Sequence, residues 1–321
     1  MRGISLDWLA GAAAIALGVQ LGACGNSLQP RDEVRVRVGL GPEQAERAAP
    51  FAALYLPYAM MSSLAYTRAE KLNVDLCPDP ASFSKGQDDA VASAWMRSLQ
   101  ARNWRCVFGL SEMRPCPRRY PNCRPFDGPD LQVWRRNASA CGEVVIAYRG
   151  VNLRDPTDWP SLRWMLKLPR FGEDPQIDGM LAASGCGAAA KVIAVGHSLG
   201  GGHAEEAAYA NGRIRYVYAF NNAHVFGFVD PATRARNQKG LGIDRVHEAG
   251  DLLTVSSVFW PASSCNPRIR IVQFNLTPVG LPIMEHNINT LTANMVEVAR
   301  GNGKSALAYR DAARCMAGAA R

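Results

Sequence analysis

Long apolar runs are missing from this sequence. The nearest to one, Leu9 to Leu21, is Ala-rich and too short to cross a bilayer as a helix. There is no internal repeat and no low-complexity tract, which sets aside solenoids and fibrous arrays. The chain carries a net charge of +8, yet its Arg residues are scattered, and no basic stripe with interleaved aromatics occurs. That argues against nucleic acid as a partner; weak attraction to anionic lipid head groups fits the charge better. No Cys-x-x-Cys occurs, and no His stands near Cys116 and Cys123, so a zinc site is not expected. Histidine is scarce, with five in the chain. What remains is ordinary: 321 residues, 48% hydrophobic and 20% charged, enough for one large α/β domain or two smaller ones.

The N-terminus has the layout of a targeting segment. Arg2 supplies an early cation, Asp7 weakens it, and the apolar stretch ends in Leu21-Gly22-Ala23-Cys24. Those four residues resemble the lipobox of bacterial lipoproteins, in which cleavage before the cysteine leaves it lipidated. The expectation is a signal peptide over 1–23, a lipid anchor on Cys24 that brings the chain to a membrane surface, a Pro-containing tether over 24–50, and a folded domain over 51–321. A plain secretory signal with an incidental cysteine is the alternative. Both imply export. Without Cys24 an even set remains, namely Cys77, Cys106, Cys116, Cys123, Cys141, Cys186, Cys265 and Cys315. In an exported chain such a set predicts disulfides, up to four, whose connectivity spacing does not reveal.

The chain is organised around Lys191 to Ala204. Val192 to Val195 is a short apolar run suited to a buried parallel strand. Gly196-His197-Ser198-Leu199-Gly200 follows, and then a stretch of helical composition. Gly-x-Ser-x-Gly between a strand and a helix is the pattern of a nucleophile elbow. The serine protrudes from a tight turn, and the two glycines let strand and helix approach each other. Ser198 is the candidate nucleophile. The helix behind it points its positive end at the reacting carbonyl, and the N–H of Leu199 is placed to receive an oxyanion.

Around this stretch the pattern predicts a helix starting at Pro57, a second over Asp89 to Gln100, and a Pro-, Arg- and Cys-rich excursion over 111–130. Leu131 to Arg135 and Glu143 to Arg149 read as a hairpin, and Arg215 to Phe220 and Gly242 to Glu248 as further strands. Asp251 stands just past the last of these, where the acid of a Ser…Asp…His order belongs. Asp230, before Pro231 in a polar loop, and Asp244, at the opposite end of its strand, are the rivals. His286 is the base candidate, because it alone of the five histidines follows Asp251. His197 and His203 lie in the elbow and its helix, and His224 and His247 precede the acid. His286 stands before an amphipathic stretch with Ile288, Leu291, Met295 and Val298 on one face.

Ala147-Tyr148-Arg149-Gly150, upstream of Gly-His-Ser-Leu-Gly-Gly, resembles the class 3 lipase family. The resemblance covers roughly residues 50–300. It implies an α/β-hydrolase fold, a mostly parallel central sheet flanked by helices, with no metal or organic cofactor. It also implies that the N–H of Val151 joins that of Leu199 as an oxyanion donor. The family has a hydroxyl residue where Val151 stands. Trp159 and Trp164 fall where the family carries its lid, with an ordinary packed helix as the other reading. The activity implied is hydrolysis of carboxylic esters of lipids, triacylglycerol or phospholipid, through Ser198, His286 and Asp251. A short-chain esterase or thioesterase, or a non-catalytic lipoprotein that uses the fold to bind, are the alternatives.

Overall fold

The computed structural model describes residues 42–67, 71–83, 87–110, 130–136, 141–151, 175–223, 229–251, 253, 269–274, 276 and 286–300. The expected leader, Cys24, and the indoles of Trp159 and Trp164 lie outside these residues.

The described residues open with helices α1 (Pro42–Leu64) and α2 (Gln87–Ala101). Strands β1 (Trp104–Leu110), β2 (Leu131–Arg136) and β3 (Glu143–Tyr148) come next, then α3 (Pro175–Ala183). After them come β4 (Lys191–His197), α4 (Leu199–Ala210), β5 (Ile214–Phe220), α5 (Pro231–Asn237), β6 (Gly242–Glu248), β7 (Ile269–Phe274) and α6 (Ile288–Ala299), and a 3-10 turn, Pro80–Ser82, lies between α1 and α2. The seven strands form one sheet in sequential order. β1–β2 and β2–β3 are antiparallel, and every pair from β3 to β7 is parallel.

Alternation along each strand divides the core into two layers. Ile193, Val195, Tyr218, Phe220, Val246 and Phe274 face α1, α2 and α6. Val192, Ala194, Val217, Ala219 and Ile243 face α3 and α4. Strands buried on both faces read as continuous apolar runs, which is why β3, β4 and β5 are legible in the sequence. A mostly parallel sheet covered by helices on both faces, with a strand–turn–helix elbow in mid-sheet, is the α/β-hydrolase architecture. Among the described residues no helix is long and apolar enough to cross a membrane.

The N-terminal helix starts earlier than the expected Pro57. Helix α1 begins at Pro42 and runs through both Pro50 and Pro57, so the last part of the expected 24–50 tether is helical. Each internal proline removes a backbone donor. Burial offsets the loss, because Ala48, Ala52, Tyr55, Ala59, Met60 and Leu64 are all buried in the first core layer. β1, β7, α3 and α5 go beyond the elements read from the sequence, and Asp230, read there as part of a polar loop, caps α5. The two strands lie at the sheet's edges, where Arg105, Arg270 and Gln273 blur the apolar pattern.

Two of the expected disulfides fall in the described residues. Cys77–Cys106 ties the loop before α2 to β1, and Cys141–Cys186 ties the entry of β3 to the turn before β4. The second closes a span of 45 residues. A Cys141→Ala/Cys186→Ala double variant is therefore expected to lose about 2–4 kcal/mol of stability, read from denaturant unfolding. An unchanged midpoint would show that the bridge does not restrain the unfolded chain.

Candidate functional site

Ser198 lies at the end of β4, between the strand and the first residue of α4. Its backbone is at φ 56° and ψ −129°, a region that L-residues avoid. Two glycines permit this. A Cβ on Gly196 would sit 2.2 Å from the carbonyl oxygen of Gly200, and one on Gly200 would sit 2.4 Å from that of Tyr148. The turn is held on its other side by β5. Ser198 N–H donates to the carbonyl of Phe220 at 3.0 Å, and Ala223 N–H donates to the carbonyl of Ser198 at 3.0 Å.

The structure brings the three candidate side chains together. His286 Nε2 lies 2.9 Å from Ser198 Oγ, and His286 Nδ1 lies 2.5 Å from Asp251 Oδ1. Asp251 is fully buried and the His286 side chain is 16% exposed, so the row runs from the interior to the surface. A neutral His286 with its proton on Nδ1 donates to Asp251 and accepts from the serine hydroxyl. Both carboxylate oxygens of Asp251 are engaged, since Leu253 N–H donates to Oδ2 at 3.0 Å. Asp251 follows β6 through Gly250, which is at φ 89°. His286 is set by the helix it precedes. The Asn287 side chain caps α6, accepting from Asn289 N–H at 2.8 Å and from Thr290 N–H at 3.4 Å.

The rivals are occupied elsewhere. Asp230 caps α5, accepting from Ala232 N–H and Thr233 N–H. Asp244 is buried in β6, paired with Arg270 and accepting from Tyr55 at 2.9 Å and Tyr216 at 3.2 Å. Leu199 opens α4, so its N–H is one of those the helix leaves without an acceptor of its own. Val151 follows Gly150 at the end of β3. A Cβ on Gly150 would lie 2.5 Å from the His197 carbonyl oxygen and 3.2 Å from Gly200 N, so this strand end abuts the elbow. Among the described residues no group of three or more His, Cys, Asp or Glu is arranged to hold a metal ion.

Several supporting residues carry no signal in the sequence reading. Glu205 in α4 receives Arg245 through Nε at 2.9 Å and Nη2 at 2.6 Å, and Asn222 Nδ2 at 3.0 Å. This buried cluster locks α4 to the turn after β5. Asn221, at φ 39°, accepts from Glu248 N–H, and Glu248 Oε1 accepts from Leu276 N–H at 2.6 Å. Those contacts fix the end of β6 from which Asp251 projects. His197, set aside as a base, touches both Tyr66 and the backbone of His286. Only contacts across the fold give these residues their partners, so neither spacing nor periodicity announces them.

Comparisons with known proteins add a partial relative. No family model matches the chain. A stretch of 121 residues is 33% identical to the extracellular phospholipase A1 of Serratia liquefaciens, a match covering 35% of this chain. The chain thus spans 36% of that relative's length. Among solved structures, lipase II of Rhizopus niveus aligns over 65% of this chain and 77% of its own, at 14% identity and a TM-score of 0.37. The protein AbyA5 aligns over 98% and 96%, at 12% identity and a TM-score of 0.30. These two structural likenesses are too low to carry an argument.

The helix behind the elbow has a consequence for acid stability. Burial of His203 in α4 pushes its pKa from 6.5 down to about 4. The folded chain then keeps His203 neutral where the unfolded chain would protonate it. Between pH 6.5 and pH 4 the unfolded state binds the extra proton, so stability falls as pH falls, by up to about 1.4 kcal/mol per pH unit. Buried His197, whose pKa is also pushed well down, acts in the same direction. His203→Gln is expected to flatten the pH dependence of the unfolding free energy across this window. An unaltered slope would mean that His203 is not the group responsible.

Proposed function

We propose that this chain is a serine hydrolase that cleaves carboxylic ester bonds of lipids. The observation that carries the reading is the hydrogen-bonded row from Ser198 through His286 to buried Asp251, set at a strained strand-to-helix turn. His286 takes the proton of Ser198 as its oxygen attacks the ester carbonyl. Asp251 holds the imidazole in the required tautomer and stabilises its cation. The tetrahedral oxyanion is received by the N–H groups of Leu199 and Val151. Collapse releases the alcohol, which takes its proton from His286, and leaves an acyl-enzyme on Ser198. His286 then deprotonates water to hydrolyse that ester. No cofactor is required.

The lipid part of the reading rests on the partial match to a phospholipase A1 and on the class 3 lipase resemblance of the elbow and the Tyr148-Arg149-Gly150 strand end. Export is supported by the two disulfides. Cys24 as lipid anchor in the bacterial envelope, and Trp159 and Trp164 as parts of a lid presented to acyl chains, belong to the same proposal.

Purified mature chain is expected to hydrolyse p-nitrophenyl esters, more rapidly for long acyl chains than for short ones. Ser198→Ala or His286→Ala should reduce kcat by at least about 10³-fold, and Asp251→Asn by about 10³–10⁴-fold. Cleavage of short esters alone would point to an esterase. If no ester is cut, or if Ser198→Ala changes nothing, the hydrolase reading falls and the binding-protein alternative takes its place. For the anchor, a radiolabelled fatty acid fed to the cells should label the chain, and Cys24→Ser should abolish the label. An exported but unlabelled chain would mean a plain secretory signal.

A further inference from the structure

The residue before the proposed nucleophile holds the proposed base by its backbone. His197 Nε2 lies 2.7 Å from the carbonyl oxygen of His286, and the two rings are 4.7 Å apart between centroids. A carbonyl only accepts, so Nε2 of His197 carries the proton and donates. Burial, together with the nearby His286, presses the His197 pKa well below its ordinary value, so the ring is neutral and has that one proton. Its Nδ1 is then an acceptor, and Tyr66 Oη lies 2.9 Å from it, with a further approach of 3.2 Å to the His197 carbonyl oxygen. Adjacent residues of the elbow therefore grip the two ends of one histidine, Ser198 at its Nε2 and His197 at its carbonyl.

Tyr66 ties in more of the site. It stands just past the end of α1, and a Cβ on Gly150 would lie 2.3 Å from its hydroxyl oxygen. The phenol is thus wedged between the strand end before Val151 and the elbow. Close by, Ser63 of α1 is hydrogen-bonded to Asn289 in the first turn of α6. The Tyr66 O–H fixes the His197 tautomer, and the His197 N–H fixes the segment that delivers His286.

We infer that His197 and Tyr66 are positioning residues of the hydrolytic site. Their hydrogen-bonded tie sets the backbone of His286, and so the reach of its Nε2 to Ser198 and of its Nδ1 to Asp251. The inference rests on the proposed hydrolase reading. It makes the residue in the second place of Gly-His-Ser-Leu-Gly a donor to the base segment, and it gives α1 a role in the site.

The test combines kinetics on p-nitrophenyl butyrate with proton NMR of the far-downfield Nδ1–H resonance that the His286–Asp251 pair should show. His197→Phe, which keeps a ring of similar size and removes the donor, is expected to lower kcat by about 10²-fold with KM unchanged, as a misplaced base does. It should also broaden or remove the downfield resonance. His197→Gln, which returns an N–H near the Nε2 position, should restore most of kcat and the resonance. Tyr66→Phe, which loses one hydroxyl, should lower kcat by up to about tenfold. Full kcat and an intact resonance in His197→Phe would overturn the inference, and so would a failure of His197→Gln to rescue a folded His197→Phe. If thermal melting shows that His197→Phe does not fold, Tyr66→Phe decides. Lower kcat at unchanged KM and Tm supports the tie, and unchanged kcat overturns it. His286→Ala in parallel separates the two readings. If His286→Ala keeps the native kcat, His286 is not the base and the Ser198–His286–Asp251 reading on which the tie rests is wrong. If it is inactive while the His197 and Tyr66 variants are unimpaired, only the tie is wrong.

Discussion

Ser198 sits in a left-handed backbone conformation, and most of what surrounds it exists to hold it there. An L-residue in that region costs about 1–3 kcal/mol and persists only where neighbours over-determine it. Here β4 is locked between β3 and β5, so the turn cannot swing. Phe220 and Ala223 bind the serine's own N–H and carbonyl. The Arg245–Glu205–Asn222 cluster secures the helix that follows. Removing one member of such a buried charge cluster leaves the others uncompensated, which makes it a stiff support. The strain is placed where a nucleophile must project, and the rest of the sheet carries it.

The remaining parts of the site arrive from distant segments, each ending where the elbow needs it. The end of β3 brings Gly150 and Val151 against the elbow. The end of β6, fixed by Asn221 and Glu248, presents Asp251. The cap of α6 presents His286, and the end of α1 supplies Tyr66. α1 and α6 share one core layer on the same face of the sheet. The base and its tie therefore depend on how these two helices pack together rather than on any loop alone.

Much of this was legible before any contact was known, for local reasons. Strands β3, β4 and β5 are buried apolar runs followed by Gly or Asn, and a run of that kind has few other uses. Asp251 and His286 could be chosen because chain order and strand polarity left few competitors, and the structure sets His286 between Asp251 and Ser198. Where the signal was not local it failed. Pro57 looks like a helix start, yet α1 begins at Pro42, because its apolar face is stabilised by α6 and the sheet. β1 and β7 carry charged residues typical of edges and become strands through the neighbours they pair with.

The sequence by itself determined the elements whose cause lies within a few residues: the elbow's two glycines, the doubly buried strands, and the scarcity of histidine that singled out His286. Only the tertiary structure decided that His197 faces the His286 backbone, that Tyr66 closes the gap between α1 and the elbow, and that Cys141 meets Cys186. The physical reason is range. Caps, turns and periodicity are written by neighbours in the chain, whereas a hydrogen bond between residues 89 or 131 positions apart is written by the packing that brings them together.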